Sequence, residues 1–352
     1  MTVTISKPEI NLREELSALK SPIGAFGEQL GRAETVTDFY NLKGTNKNLI
    51  INGDMRFSQR GDFSTGYSDA AGTSVYTIDR FFNRPYGSDP QTITHNTVTL
   101  PDGTNAKSMN VQQTGTVNNT PFYHMTQPIE TERWMLGKTF TVSYWYRTNT
   151  PKIRARDCDT LACYGNLGEV MINDDQWHYN SWQMTFSSSA TVGTNAQVHP
   201  AFTKSDGANI LGGEYFEFTL LQMELGTVAT PFEFRSNQIE LALCQRFYWQ
   251  HSISIWASAI FDGSNSDYPG AFIQHPVPMR ITPTASFISL GNFYYNNGSS
   301  GVNFVPAGGT TNWVGNNIFG YMRKDAISNA VGSAHSMKLG FWYIQCAFNA
   351  EF

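Results

Sequence analysis

The stretch "KNLIINGDMRFSQRG", Lys47 to Gly61, decides the fold. Three apolar residues, Leu49-Ile50-Ile51, run into Asn52-Gly53-Asp54, Met55-Arg56-Phe57-Ser58 then alternates apolar with polar, and Arg60-Gly61 makes a polar turn. Alternation closed by Gly, Asn and Asp predicts a strand followed by a turn. Nothing of this texture precedes it, so the stretch reads as the start of an independently folding β unit.

Residues 1–46 have a helical pattern. Asn11 stands three residues before Glu14, as in a capping box, and Leu12, Leu16 and Leu19 recur at helical spacing. Ser21-Pro22 stops that helix. After the Gly-punctuated "SPIGAFGEQLG", "RAETVTDFYNLKG" reads as a second short helix closed by Gly44. Two short helices with so few apolar residues bury no core of their own. They read as a frayed leader, or as an attachment segment in which Leu12, Leu16, Leu19, Phe26, Leu30, Phe39 and Tyr40 pack on a partner.

Downstream, "SVYTIDRFFNR", "QTITHNTVTL", "KSMNVQQTG", "FTVSYWYRT", "HYNSWQMTF" and "EYFEFTLLQMEL" show period-two alternation. Clusters such as "PYGSDP" and "LPDGTN" divide them. So many short strands over residues 47–235 predict a two-sheet sandwich, most simply a jelly roll whose first and last strands lie side by side. "RSNQIE" reads as a polar, protease-sensitive joint. "NQIELALCQRFYWQ" reads as a linker helix over 236–247, with Asn237 and Glu240 as a capping box and Ile239, Leu243 and Phe247 on one face. Residues 248–352 return to strands, among them "SISIWASAIF", "TASFISLGNFYY" and "KLGFWYIQCAFNAEF", and predict a smaller all-β domain. The fold class expected is therefore mainly β.

Composition agrees. Aromatics make up 14% of the chain and charged residues only 15%, with a formal net charge of −5 and no Lys/Arg run, which excludes a nucleic-acid backbone binder. The N-terminus has no apolar h-region and no segment approaches 18 apolar residues, so neither a secretory signal nor a membrane span is expected. Four cysteines without metal spacing fit a chain made in a reducing cytosol; Cys158 and Cys163 are near enough in sequence to pair or to stay free.

"NLIINGDMRFSQRG" followed by "YTIDRFF", with its Asp79-Arg80 pair, resembles the start of jelly-roll modules, similar to carbohydrate-binding modules, in bacteriophage tail-fibre and other virion appendage proteins. "FTLLQMELGTVATPFEFRS" resembles the closing strand of the same module, "ELALCQRFYWQ" the junction after it and "HPVPMRITPTAS" the opening of the small β domain that follows. "NAEF" departs slightly from the Ala-Glu-Leu ending of such proteins, and "PIGAFGEQLGRAETVTDFYNL" resembles the Gly-rich segment upstream of receptor-binding parts. The resemblance implies a virion protein made in the bacterial cytoplasm, often a homotrimer, that attaches to other tail or capsid proteins and presents β domains to a host-surface glycan. The same jelly roll also suits a capsid-decorating or neck cement protein with no receptor. Some modules of this resemblance hold a structural calcium; Asp54, Asp79 and Glu224 are oxygen donors near the first and last strands, but form no ligand string, so no metal is expected.

The sequence carries no familiar catalytic signature. The seven histidines show no His-x-x-x-His pair, and there is no Gly-x-Ser-x-Gly elbow and no phosphate loop. A glycan-cleaving spike needs two opposed carboxyls. Asp174 and Asp175 are neighbours and belong in a turn, while Asp157 and Asp159 sit beside Arg154 and Arg156 as a surface charge cluster. No catalytic residue and no cofactor is expected. Binding has better candidates: Tyr144 and Tyr146 on one face of "VSYWYRT" with Trp145 on the other, "WHYNSW" with Trp177, Tyr179 and Trp182, and Tyr294, Tyr295 and Trp313 in Asn-rich sequence near the end. One face of every strand must be buried and large aromatics fill a core well, so the rings of "VSYWYRT" and "WHYNSW" read more readily as core, whereas Tyr294, Tyr295 and Trp313, in loop-rich sequence around "TTNWVGNN", read as the better surface contacts.

Overall fold

The computed structural model describes residues 47–69, 75–83, 91–116, 122–123, 125–130, 132–156, 163–165, 170–188, 201–204, 208–261, 268–296, 301–304, 311–315, 318–324 and 336–351. The attachment candidates from Leu12 to Tyr40, and Asp157 and Asp159, lie outside the described residues.

The chain is mainly β. One seven-stranded sheet runs in the order β1 (Tyr67–Asp69), β4 (Gln91–Thr99), β5 (Asn105–Gln113), β13 (Tyr215–Leu225), β8 (Thr139–Thr148), β11 (His178–Phe186) and β10 (Cys163–Gly165). Two three-stranded sheets accompany it. One holds β2 (Val75–Tyr76), β3 (Phe82–Asn83) and β7 (Met125–Thr126); the other holds β6 (Phe122–Tyr123), β12 (Ala201–Lys204) and β9 (Ile153–Arg156). The inner face of the large sheet supplies Met109, Val111, Phe140, Val142, Tyr144, Phe216 and Phe218, and Ile78, Phe81, Ile129 and Ile153 from the covering segments close the core over it. Phe140 meets Phe186 edge-on at 5.2 Å between centroids, an arrangement the ring quadrupoles favour.

Residues 47–57 are a correction to the sequence reading: they form turns, not a strand. Asn52 and Met55 have φ of 60° and 57°, which breaks the extended pattern. Yet the segment does run beside the closing strand. Leu49 N–H donates to Met223 O at 2.8 Å, Asn48 Oδ1 accepts from Met223 N–H at 3.0 Å, and Leu221 N–H donates to Gly53 O at 2.9 Å. The register of β13 against β8 shifts between Thr219 and Gln222, a bulge with Leu220 at φ 51°. Gly53 therefore satisfies a donor that the bulge takes out of the ladder, so the first and last segments are adjacent as expected, without both being strands.

A second seven-stranded sheet uses only later residues, in the order β17 (Gly301–Phe304), β16 (Thr284–Asn296), β20 (Ser336–Asn349), β14 (Tyr248–Phe261), β15 (Tyr268–Gln274), β19 (Phe319–Lys324) and β18 (Thr311–Gly315). Its axis is the antiparallel pairing of β14 with β20, in register from Tyr248↔Asn349 to Phe261↔Ser336. The "TTNWVG" segment, read as a loop, is strand β18.

Between the sheets lies α1 (Asn237–Gln245). Its cap is one residue earlier than the sequence suggested: Ser236 Oγ accepts from Ile239 N–H at 3.4 Å. Glu240 is thereby released from any capping role and is buried, where Arg235 Nη1 reaches both of its oxygens at 3.1 and 3.2 Å. Ile239 is exposed, and the buried positions of this stretch are Glu240, Cys244 and Phe247.

Segments that carry the family resemblance meet at this junction. Arg80 is fully buried, paired with Glu351 and donating to Pro128 O, with its guanidinium 3.5 Å above the Phe247 ring. Arg60 reaches Glu351 at 3.2 Å and lies 3.7 Å from the centre of the Tyr248 ring. Arg280 donates to Ala350 O at 2.9 Å and to Glu351 O at 2.8 Å. Asp79 accepts from Gln59 at 2.7 Å; burial raises its carboxyl above the usual range, against the pull of that hydrogen bond and of Arg60. The "IDRFF", "EFRS", "CQRFYW", "PMRI" and "NAEF" motifs thus form one clasp joining the first β unit to the second. The charges of Arg80, Arg235 and Glu351 are buried, while Arg246 remains partly exposed beside Glu130.

The clasp changes the expectation for the "RSNQIE" joint. The Arg235 side chain is buried, bonded to Ile50 O at 3.0 Å and to Asn48 O. Trypsin must extract that side chain to cut after it, so limited digestion of the native protein is expected to leave the Arg235–Ser236 bond intact until the junction unfolds. Mass spectrometry of the first fragments checks this; an early cut at Arg235 would contradict the clasp.

Candidate functional site: the outer face of the first sheet

Strand β8 sorts its residues by face. Phe140, Val142, Tyr144 and Tyr146 point into the core, and Tyr144 is 0% exposed. For Tyr144 and Tyr146, expected from the sequence as contact residues, this is a correction: they are core. Tyr146 stacks on Phe216 at 6.1 Å, and its hydroxyl accepts from Ile172 N–H at 2.9 Å. Burial pushes the Tyr144 phenol well above its ordinary value, so it stays a neutral core group.

The opposite face carries Thr141, Ser143, Trp145 and Arg147. A strap over 226–235 covers the first end of it: Thr141 Oγ1 donates to Gly226 O at 2.8 Å, and Glu224 accepts from Thr230 N–H at 2.7 Å. Trp145 and Arg147 lie beyond the strap. Tyr179 of β11 is directly opposite Trp145 in the ladder, and the rings meet at 5.7 Å and 63°. Tyr179 is 48% exposed; partial burial raises its phenol, offset by a hydrogen bond with Ser143. One step along, the Arg147 guanidinium stands 5.4 Å from the Trp177 ring. Successive residues on one face of a strand are about 6.5–7 Å apart. The Trp145–Tyr179 pair and the Arg147–Trp177 contact, with Trp177 just before β11, therefore make a short aromatic strip, with exposed Ser181 and Gln183 beside it.

Arg147 is held from the side by its cross-strand partner. Glu217 of β13 is completely buried and accepts from Arg147 Nε at 3.1 Å and Nη2 at 2.6 Å, from Asn96 at 2.9 Å and from Ser108 at 2.5 Å. Four donors on one carboxylate satisfy its acceptors although it is buried. The guanidinium has a fixed plane, with Nη1 the part that Glu217 leaves unengaged.

Asp174 and Asp175 lie in the bend before β11, as expected. Asp174 Oδ1 is 2.7 Å from His178 Nε2, which holds its carboxyl below the usual range, and Asp175 accepts from the Tyr215 hydroxyl. They are side by side at the surface, not opposed across a cleft. Asp54, Asp79 and Glu224 are each engaged by protein donors, namely Arg56, Gln59 and Thr230, and no metal-ligand cluster occurs among the described residues. Tyr294 and Tyr295 are in β16 and Trp313 in β18, with their side chains outside the described residues. A cavity of about 340 Å³ opens at the junction, between Leu49, Ile51, Arg80, Arg235, Arg246 and Phe247. Its arginines are paired with Glu351, Glu240 and Glu130, so it belongs to the clasp.

Of the Tyr and Trp rings on β8 and β11, Trp145 and Tyr179 are the two that the structure leaves partly exposed. The signal was there: Phe140 and Val142 mark the core face of β8, so Trp145, flanked by Ser143 and Arg147, had to be on the other.

No family model and no curated protein matches this chain. Among solved structures it is similar to a candidate sugar-binding protein from Bacteroides thetaiotaomicron, at 10% identity over 51% of this chain and 100% of that one, TM-score 0.32. It is similar to the CBM22-1–CBM22-2 tandem domain of Paenibacillus barcinonensis Xyn10C, at 11% identity over 83% and 96%, TM-score 0.26. It is also similar to the tripod from the baseplate of bacteriophage Tuc2009, at 12% identity over 88% and 91%, TM-score 0.27. Likenesses this weak carry no argument about function, which has to come from the geometry of this chain. No helix among the described residues is long and apolar enough to cross a membrane.

Proposed function

We propose that this chain is a non-enzymatic glycan-recognising appendage protein of a bacteriophage particle, a tail-fibre or related subunit. Residues 1–46 attach it to other virion proteins, and its β domains, carried as a homotrimer, face the host surface. The observation that carries the recognition reading is the strip of Trp145, Tyr179, Trp177 and Arg147 on the outer face of the first sheet. Sugar rings present apolar C–H faces that pack on aromatic rings, while their hydroxyls need oriented donors and acceptors. The strip offers both. The resemblance of the "NLIINGDMRFSQRG" and "YTIDRFF" motifs to virion appendage modules supports the virion assignment.

A glycan array of bacterial surface polysaccharides, probed with the full chain, tests this reading. Binding is expected, and the double substitution Trp145→Ala, Tyr179→Ala is expected to weaken it by about tenfold or more, the usual effect of removing a central aromatic anchor. The melting temperature should be unchanged, because these rings lie outside the core. A full chain that enters particles but binds no polysaccharide would favour the receptor-free decoration role.

A further inference from the structure

Building on the glycan-binding reading, we infer that the outer-face strip selects neutral, hydroxyl-rich glycans and rejects acidic ones. Its cation, Arg147, is neutralised from the side by the fully buried Glu217, its cross-strand neighbour on β13, which holds it by two hydrogen bonds of 2.6 and 3.1 Å. The positive charge is therefore already matched, and a ligand carboxylate would have to compete with an anion fixed by four donors. The Arg147 side chain is still 34% exposed. It acts on a ligand through oriented N–H groups, which suit sugar hydroxyls.

The end of the strip is acidic. Asp174 and Asp175 lie exposed in the bend that leads directly into Trp177, with Asp174 tied to His178 and Asp175 to Tyr215. A uronate or sialate laid along the strip would bring its charge toward these carboxylates, and like charges brought together at an interface select against a partner. The formal net charge of −5 acts in the same direction at longer range.

The probe is a panel of bacterial polysaccharides divided between neutral and uronate- or sialate-bearing repeats, offered to the full chain at low and high salt. Hits are expected among neutral members, with affinities flat in salt because no net charge is being paired. The surface variant Asp174→Asn, Asp175→Asn should admit acidic members, at least severalfold more tightly than wild type. Glu217→Gln should lower neutral binding by freeing Arg147 and make acidic binding salt-dependent, while the aspartate variant serves if the buried substitution disturbs folding. Hits concentrated in acidic members, abolished by Trp145→Ala and weakened by salt, would overturn the selectivity and leave the glycan-binding reading standing. Hits indifferent to Trp145→Ala, or none at all, would overturn both.

Discussion

Replacing Glu351 with alanine is expected to cost about 3–5 kcal/mol of folding stability, the effect of removing one partner from a buried ion pair. Arg80 is buried to 1% exposure, and its guanidinium would keep Pro128 O and the Phe247 ring while losing its counter-charge. Arg60 would lose its shorter acidic contact and keep Asp79 at 3.7 Å. The double substitution Arg80→Met, Glu351→Leu removes both charges together, and apolar replacement of a buried pair is often neutral or stabilising. Chemical denaturation of the wild type, both single variants and the double variant gives the coupling directly. Since the pair bridges the two β units, Glu351→Ala should also separate their transitions, which fluorescence and circular dichroism would report at different midpoints. Additive single effects below about 1 kcal/mol would show that the clasp does not hold the units together.

Gly53→Ala has a comparably large expected effect, for a different reason. A Cβ at Gly53 would overlap Leu221 O, and that atom is backbone at the bulge of the central strand. Neither partner can withdraw without losing the Leu221 N–H to Gly53 O hydrogen bond and the neighbouring Leu49–Met223 one. Overpacking of a rigid site by one methyl costs about 1–3 kcal/mol, and more where the obstacle is main chain. We expect Gly53→Ala to fall at or above the top of that range, with poor soluble yield. A substitution at Gly103 makes the control: it is a left-handed glycine, at φ 85°, but nothing stands within 4 Å of its Cβ position. Gly103→Asn, which tolerates that φ, should stay within about 0.5 kcal/mol of wild type. Equal stability of Gly53→Ala and wild type would mean that the 47–57 segment is not seated on the bulge.

The long alternating strands were legible because half-buried sheets must alternate, and β4, β5, β8, β11, β13, β14 and β20 all appear where the pattern places them. The opening segment was less so. Its apolar run Leu49-Ile50-Ile51 looks like a strand, but left-handed Asn52 and Met55 leave Asn48 and Gly53 to complete the edge of β13, and local sequence does not record which edge has a vacancy. Helix α1 shows a similar limit. Asn237 and Glu240 have capping-box spacing, yet Ser236 caps the helix and Glu240 is claimed by Arg235, a partner fixed by tertiary contact. Polarity misled at the junction, where the "RSNQIE" stretch reads as a polar, exposed joint but Arg235 is buried, together with Arg80 and Glu351. For the candidate site, the residue types were visible and the face was misjudged: Tyr144 and Tyr146 share theirs with Phe140 and Val142, whereas Trp145 shares its face with Ser143 and Arg147.

Contact between the outer face of the first sheet and a glycan can be read directly from indole N–H resonances. The chain has 8 tryptophans, and each gives one signal that a Trp→Phe variant assigns. The full chain would be titrated with the neutral oligosaccharide that binds best on the array. Glycan binding at the strip predicts that the Trp145 and Trp177 signals move with the ligand, saturating together, while buried Trp182 and Trp249 stay in place. Movement confined to Trp313 or to other residues after 248, with Trp145 and Trp177 unmoved at saturation, would contradict it.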